Sequence, residues 1–333
     1  MNEKPLISVI IPVYNITNRL SIMLNSLERQ DYQNLEIVVY DDCSDDSGEG
    51  EIIKSLLNAR RFARTQFHRG YKNHGVAFAR NRGLEAAHGE YIAFVDGDDF
   101  VEENYISSLY GALYREQSDY SSCGYARYDE SKKQFLYHPL NVSTSSRDSV
   151  LCERILNTCE VSHIASLFNK NFLLKYGVFF TEGCTAGEDM EFILKFMCHG
   201  RGAFIPECLY LYVQHEAMGS RRNVLNIEKK FTRYRDHAYA QIRQACYVVQ
   251  NAGAEPSKLA RDMLFPNACQ CVLSLFPMCN DRVRYDKLLA SPRFRKNLWA
   301  AWRSFLYKPE IFIRSIIALF FPNLYWSKYS HYL

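Results

Sequence analysis

Tyr91-Ile92-Ala93-Phe94-Val95-Asp96-Gly97-Asp98-Asp99-Phe100 is the stretch around which the chain is organised. An apolar run stops abruptly at three carboxylates, Asp96, Asp98 and Asp99. Residues 92–95 have the length and composition of a buried strand. Carboxylates at the C-terminal end of such a strand lie where open α/β sheets bind ligands. Clustered oxygen donors suit Mg²⁺ or Mn²⁺, which can in turn hold phosphate. Gly97 lets the backbone turn sharply and lets a ligand come close. The same letters would also serve as an acidic turn that solvates itself and caps the next helix, so the rest of the chain decides between the two.

With 333 residues and a hydrophobic fraction of 47%, the chain can bury one large domain and an appendage, or two domains. Its 11 cysteines are irregularly spaced, and the close pair Cys269-x-Cys271 lacks zinc-finger spacing. Reduced cysteines of a cytosolic protein are expected. The start, Met1-Asn2-Glu3-Lys4-Pro5, runs straight into a strand-like segment, and no signal peptide is expected. No stretch reaches the ~20 apolar residues of a membrane span. The net charge of +3 is unevenly spread: from Arg282 onward there are ten Lys/Arg and two Asp/Glu, a local +8 that leaves −5 for the remainder.

In chain order, residues 6–11 read as a first buried strand ended by Pro12. A helix with Leu20, Leu24 and Leu27 on one face follows, then a second strand over 35–40 that ends in Asp41 and Asp42. A third strand lies within 60–68. Asn73-His74-Gly75 opens a helix through Ala87, closed by His88-Gly89. The acidic loop is followed by a helix over 102–116. Strands alternating with helices predict a parallel, doubly wound sheet. Further on, 118–126 reads as a strand, 132–147 as a surface loop, and 166–175 as a strand passing into a helix. Gly187-Glu188-Asp189 opens an amphipathic helix carrying Phe192, Leu194 and Phe196, a pattern that a simple N-cap also explains. Residues 203–206 and 209–213 read as two strands before His215. Residues 224–275 are helical, interrupted at Pro256 and Pro266. A first domain over 1–220 and a helical region over 221–333 are expected.

The first strand leads into Pro12-Val13-Tyr14-Asn15 rather than Gly-x-Gly-x-x-Gly, which argues against a dinucleotide oxidoreductase. The P-loop pattern is also absent. Carboxylates, not glycines, stand at the strand ends, as a metal-bridged diphosphate and a hydroxyl-rich group would require.

Four islands occur in the order and spacing of one family. They are Ser8-Val9-Ile10-Ile11-Pro12-Val13-Tyr14-Asn15, Val39-Tyr40-Asp41-Asp42-Cys43-Ser44-Asp45-Asp46-Ser47, Gly75-Val76-Ala77-Phe78-Ala79-Arg80-Asn81-Arg82-Gly83 and Val95-Asp96-Gly97-Asp98-Asp99. Together they resemble the family 2 inverting glycosyltransferases of bacterial surface-polysaccharide type. That resemblance implies a GT-A fold: α/β, with a Rossmann-like, mostly parallel sheet, flanking helices and, here, a helical C-terminal region. It is dense over 6–100 and thins to isolated points over 160–220.

The resemblance also implies roles. Pro12 and Tyr14 would line the nucleobase pocket, with Tyr14 near a uracil. Asp41 would accept from the uracil N3–H, with Asp42 the neighbouring candidate. Asn73 and Arg80 would contact base and phosphates. Asp96 would face the ribose and the metal, Asp98 would hold the metal, and Asp99 would support the loop or touch the donor sugar. Glu188 and Asp189 resemble the family's Glu-Asp pair, with Asp189 as catalytic base. His215 resembles a late residue reaching the metal or diphosphate, although Val213 stands where many relatives carry Arg. Cys43 replaces a common Gly. The implied reaction uses Mn²⁺ or Mg²⁺ and a UDP-sugar, a hexose or N-acetylhexosamine donor. The acceptor would be a glycan or lipid-linked glycan in capsule, exopolysaccharide or lipopolysaccharide synthesis.

At the C-terminus, Phe294, Leu298, Trp302 and Leu306 share a helical face, and residues 311–321 are apolar but broken by Arg314. Tyr325, Trp326, Tyr329 and Tyr332 follow, interleaved with Lys328. Basic residues with Trp and Tyr suit a membrane interface, so a cytoplasmic protein peripheral on the inner face of the bacterial membrane is expected. An ordinary helix pair with a solvated basic face is the plainer reading, and the exposed aromatics would also serve a homo-oligomer. Nucleic acid is not expected, because the acidic part of the chain repels phosphate backbones. Two other classes fit some of the residues. One is a catalytically silent nucleotide-sugar-binding scaffold, against which Asp189 argues. The other is a sugar-phosphate nucleotidyltransferase, which would need a Gly-rich basic loop where residues 12–15 stand.

Overall fold

Strands β1 (Ile7–Val13) and β2 (Leu35–Asp41) are buried at every position. Such continuous apolar runs belong to parallel strands covered on both faces. Helix α1 (Thr17–Glu28) joins them and buries Leu20, Leu24 and Leu27, as its spacing predicts. Then come α2 (Glu49–Asn58), β3 (Arg64–Arg69), α3 (Val76–Ala86) and β4 (Tyr91–Phe94). The four strands lie in the order β3-β2-β1-β4, all parallel. The computed structural model describes residues 4–45, 48–58, 62–143, 146–215, 227–278, 280–304 and 309–330. Two local expectations change. Pro12 does not end β1 but lies within it, opposite Tyr40. It is the last residue but one of the strand, where a missing N–H disturbs little of the ladder. Helix α2, between the second and third strands, was not anticipated.

Within β2 stands a carboxylate, Glu36, with no solvent exposure. It accepts from Ser8 Oγ at 2.5 Å, from the His88 N–H at 2.7 Å and from Gln66 Nε2 at 2.8 Å. Burial pushes its pKa up, but the hydrogen bonds from Ser8, His88 and Gln66 outweigh burial and hold it below the ordinary value. The closing His88-Gly89 is thus explained by more than a helix stop. A Cβ at Gly89 would come within 2.6 Å of the Ser8 backbone nitrogen. Glu36→Ala should strand the buried Ser8 hydroxyl, remove the acceptor of the His88 N–H and of Gln66, and cost about 3 kcal/mol in urea unfolding at pH 7. Because the folded carboxyl titrates below the unfolded one, its contribution is full above the unfolded pKa. It is lost as the pH falls through the folded value. The gap between wild type and variant should therefore shrink on acidification, and equal unfolding midpoints at pH 7 would refute the assignment.

The remaining elements are β5 (Phe100–Val101), α4 (Tyr105–Glu116), β6 (Tyr120–Asp129), β7 (Gln134–His138), α5 (Arg147–Leu156), β8 (Ser166–Asn169), α6 (Lys170–Lys175), α7 (Glu188–Met197) and β9 (Gly202–Gln214). Among the described residues the sheet has nine strands in the order β3-β2-β1-β4-β8-β6-β9-β5, with β7 attached to β6. Strand β8 is antiparallel to both β4 and β6, β6 is parallel to β9, and β5 is antiparallel to β9. One half of the sheet is therefore parallel and the other mixed. Part of the expected loop over 132–147 is strand β7, antiparallel to β6; residues 144 and 145 lie outside the described residues. The two expected strands over 203–213 are one strand, β9, whose pairing with β6 shifts register on either side of Gly124. Gly124 is needed there because a Cβ would come within 2.8 Å of the His138 carbonyl oxygen and 2.9 Å of that of Pro206.

Contacts divide the chain into two compact units. The first holds Met1–Val150, Cys159–Gly183 and His199–His215, and so contains the whole sheet. The second holds Leu151–Thr158, Cys184–Cys198 and Glu216–Leu333. Residues 151–158 and 184–198, which precede the expected boundary at 220, cluster with the second unit.

The second unit contains α7 and continues through α8 (Ile227–Asn251), α9 (Ala254–Leu259), one π-helical turn (Ala260–Leu264) and α10 (Phe265–Met278). Next come α11 (Arg282–Ala290), α12 (Pro292–Trp299), a 3₁₀ turn (Ala300–Ser304), α13 (Pro309–Phe320) and α14 (Pro322–Ser330). Pro256 sits in the first turn of α9, where no intrahelical N–H bond is lost, and Pro266 follows directly on the π-helical turn. Leu273, Tyr285, Leu289, Leu298, Ala318 and Tyr325 form a small core. Gln270 ties it together, donating to the Ile311 carbonyl and to Ser315 Oγ and accepting at its own carbonyl from the Tyr325 hydroxyl. The C-terminal aromatics therefore divide. Tyr325 is buried, and Trp326 is half-buried beneath the Arg282 guanidinium, 5.0 Å from the ring centroid. Trp299, Trp302, Phe320, Phe321 and Leu324 are exposed. Leu306, Tyr332 and the Tyr329 side chain lie outside the described residues.

Candidate functional site

The C-terminal ends of β1, β2 and β4 bring the acidic islands of the first unit together. Asp41, the last residue of β2, is fully buried. Its Oδ1 accepts from the Ser44 N–H (2.9 Å) and Ser44 Oγ (2.6 Å). Ser44 Oγ in turn accepts from the Asn15 N–H, and Asn15 Oδ1 accepts from the Asp45 N–H. The loops after β1 and β2 are thereby stitched together. Asp41 Oδ2 has no hydrogen bond, with Arg69 at 3.4 Å. Cys43 adopts φ +64°, so the turn keeps the backbone angle that glycine would take freely.

Asp42 is committed to the backbone. Its carboxylate accepts from the N–H groups of His74 (3.0 Å) and Gly75 (2.6 Å), fixing the start of α3. Burial raises its pKa, and those two N–H groups oppose the rise. Pro12 is buried within β1, while Tyr14 (43% exposed) and Asn73 are open to solvent.

Beyond β4, each acid of the loop has a different partner. Asp96 pairs with the buried Arg80 guanidinium at 2.8 Å. Asp98 Oδ2 lies 2.9 Å from His215 Nε2. Asp99 is buried with both oxygens engaged, Oδ2 by the Tyr210 hydroxyl (2.6 Å) and Oδ1 by the Val213 N–H (2.7 Å). It fastens β9 to the loop. Burial, then Asp96, push the Asp98 carboxyl up, with His215 pulling it down. Asp99 is pushed well up, by burial first. Burial and then Arg80 hold His163, which packs on Phe180, well below the usual imidazole range.

In the second unit, Gly187 precedes α7 with φ +84°, and a Cβ there would come within 2.8 Å of Ala240 Cβ. Glycine is required on both counts. Thr185 is pinned through its N–H and Oγ1 to Asp236 Oδ2 of α8. Glu188 and Asp189 then open the helix, with the Asp189 carboxylate exposed and accepting from the Met190 N–H. Glu191, one turn on, is buried between Lys195 (2.8 Å) and Arg243 (2.9 Å). Burial lowers the His237 pKa, and the nearby Asp189 opposes this.

A family model described as Glycosyl transferase family 2 matches residues 8–187 of this chain. The chain belongs to glycosyl transferase family 2. The match covers the four islands and ends at Gly187, just before Glu188 and Asp189. Similar relatives include glycosyltransferase GlyA of Streptococcus pneumoniae, 37% identical over 48% of this chain and 23% of GlyA. The uncharacterized glycosyltransferase EpsJ of Bacillus subtilis is 29% identical over 62% of this chain and 61% of EpsJ. The chain thus spans less than two thirds of the length of either relative. Among solved structures, residues 1–349 of S. aureus TarS, crystallised with UDP-GlcNAc, superpose with a TM-score of 0.62 at 19% identity. That superposition covers 92% of this chain and 90% of the TarS chain, and it shows a shared GT-A-type fold.

The family 2 fold implies a divalent cation, and the residues present fit one. Asp98 and His215 supply an oxygen and a nitrogen donor 2.9 Å apart, and burial and then the neighbouring Asp96 push the Asp98 carboxyl up. No group of three or more His, Cys, Asp or Glu able to hold a metal occurs among the described residues. Mg²⁺ is commonly held by one or two carboxylates completed by substrate phosphates, and Asp98 supplies such a carboxylate. Sequence reading missed several residues that hold these carboxylates or lie beside them. Tyr210 joins Asp96 and Asp99, its hydroxyl accepting from the Asp96 N–H at 3.2 Å. Ser44 seats Asp41. Arg19 and Glu130 meet in a bidentate ion pair. Ser44 stands inside the second island, three residues from Asp41, whereas Tyr210 and the Arg19–Glu130 pair carry no motif signal because they act across 111 to 114 residues of sequence.

Proposed function

We propose that the chain is a metal-dependent, inverting glycosyltransferase that moves a hexose or N-acetylhexosamine from a UDP-sugar to a glycan acceptor. The observation that carries this reading is the end of the sheet where the buried Asp41 carboxylate stands with the Asp98–His215 pair. Asp41 Oδ2 would accept the uracil N3–H, a donor that cytosine lacks at the same position. TarS, on the same fold, was crystallised with UDP-GlcNAc, which makes UDP-sugars the first donors to try. Arg80 would stand near the phosphates as a fixed cation held by Asp96. A Mg²⁺ or Mn²⁺ on Asp98 and His215 would offset the charge that develops on the diphosphate leaving group. Asp189 would take the proton of the acceptor hydroxyl as its oxygen bonds to the sugar C1 and the C1–O bond to UDP breaks. Attack opposite the leaving group inverts the anomeric centre, so an α-linked donor yields a β-linkage. Asp189 holds this role by its place in the family pattern and by its accessible carboxylate.

The acceptor we propose is lipid-linked, in bacterial surface-glycan synthesis, with the chain on the inner face of the membrane. No helix among the described residues is long and apolar enough to cross a membrane. In the second unit a shallow groove of about 560 Å³ is lined by Arg295, Lys296, Trp299, Leu319 and Phe320, with exposed Phe321 and Leu324 close by in sequence. Basic and aromatic groups at one apolar surface support docking to anionic lipid.

One experiment tests both parts. UDP-, GDP- and dTDP-sugars are assayed for nucleotide release with Mn²⁺ or chelator, with anionic or zwitterionic vesicles present, and the vesicles are then sedimented. The expected result is slow release from one UDP-sugar, abolished by chelator, with protein pelleting on anionic vesicles alone. Absence of both UDP release and UDP binding would remove the donor reading. Pyrophosphate as product would make the chain a nucleotidyltransferase, and protein left in the supernatant would remove the membrane reading.

A further inference from the structure

Arg19 and Glu130 meet across 111 residues in two parallel hydrogen bonds of 2.7 and 2.9 Å. The Arg19 end lies beside the acidic loop and the Glu130 end beside the strand end that carries His215. Arg19 lies in the first turn of α1, its N–H bonded to the Ile16 carbonyl at 2.8 Å. Ile16 covers Gly97 so closely that a Cβ there would come within 2.7 Å of Ile16 Cδ1. Glu130 follows β6, and its N–H donates to the carbonyl of Gln214, the residue before His215. The pair therefore flanks Asp98 on one side and His215 on the other. Consistently, Glu130 and then Asp98 hold Arg19 protonated, and Arg19, aided by His215, holds Glu130 below the ordinary carboxylate range.

The side chains are 27% and 37% exposed, so water screens the pair and can replace its hydrogen bonds when it opens. Its release is correspondingly cheap. A guanidinium presents a rigid fork of donors that matches phosphate as well as carboxylate. We propose that Arg19 is a ligand of the donor's diphosphate, held in reserve by Glu130 until the diphosphate arrives and takes the guanidinium over. This rests on the reading of Asp98 and His215 as the diphosphate end of the donor site.

Glu130 thus competes with the ligand, and the two partners have opposite effects on affinity. A mere brace between α1 and β6 would give the same effect from either side. Calorimetric titration of the 333-residue chain with UDP and with UMP, each with and without Mn²⁺, separates these cases. Arg19→Gln should weaken UDP about tenfold, or about 1.4 kcal/mol, with UMP almost unchanged. Arg19→Lys should recover part of the loss, and Glu130→Gln should bind UDP several-fold more tightly. UDP affinity unchanged in Arg19→Gln would overturn the proposal, and so would parallel weakening of UDP and UMP in both variants. If the wild-type chain bound neither nucleotide, the donor reading itself would fall, and this proposal with it.

Discussion

Asp189→Asn is expected to lower sugar transfer by about 10³-fold while UDP binding stays within twofold of wild type. The substitution keeps the size and the acceptor oxygen of the side chain and removes only its basicity. The carboxylate is exposed at the start of α7, and its one described hydrogen bond is local, from the Met190 N–H, so little folding energy depends on it. The neighbouring acids differ in this respect. Glu191 is buried between Lys195 and Arg243, so its replacement would disturb the helix itself. Transfer measured against donor hydrolysis completes the test. A base acting on the acceptor hydroxyl affects transfer more than it affects leaving-group departure. Transfer equal to wild type in Asp189→Asn would remove this residue as the base.

Asp98→Asn should cost turnover about 10²- to 10³-fold and abolish its dependence on Mn²⁺. Asparagine can still hydrogen-bond His215, so the geometry of the pair survives, but the anionic donor is gone. Stability is expected to move the other way. Asp98 is a half-buried carboxylate crowded by Asp96, and in the free protein that crowding works against the fold. Removing one charge should leave the unfolding midpoint equal or higher. A site that keeps a charge at the expense of stability fits a functional role better than an acidic turn. A variant that unfolded more readily, with metal-dependent turnover intact, would return Asp98 to the structural class.

What could be read locally was read because it is periodic or contiguous. The apolar runs of β1, β2 and β4 announce buried strands, and the Leu20, Leu24, Leu27 spacing announces α1. The carboxylates at the ends of β2 and β4 announce which end of the sheet carries the site. In a parallel sheet, strand identity and strand direction together fix where the C-terminal ends lie. The sequence alone therefore determined the fold class, the family islands and the position of Asp41, Asp96 and Asp98 at one edge.

The tertiary structure decided how those carboxylates are used. Asp41, Asp42, Asp96, Asp98 and Asp99 look alike in sequence, yet they are held by Ser44, two backbone N–H groups, Arg80, His215 and Tyr210 with Val213, respectively. The last two sets lie 111 to 117 residues from their partners. Glu36 is a buried charge in a core strand only because Ser8, Gln66 and His88 come from three other segments to satisfy it. The same holds for the Arg19–Glu130 pair, for the merging of two apparent strands into β9, and for the membership of residues 184–198 in the second unit. A side chain's pKa and its available lone pairs depend on the atoms within hydrogen-bond reach. Those atoms are assembled by strand order and register, which no local pattern encodes.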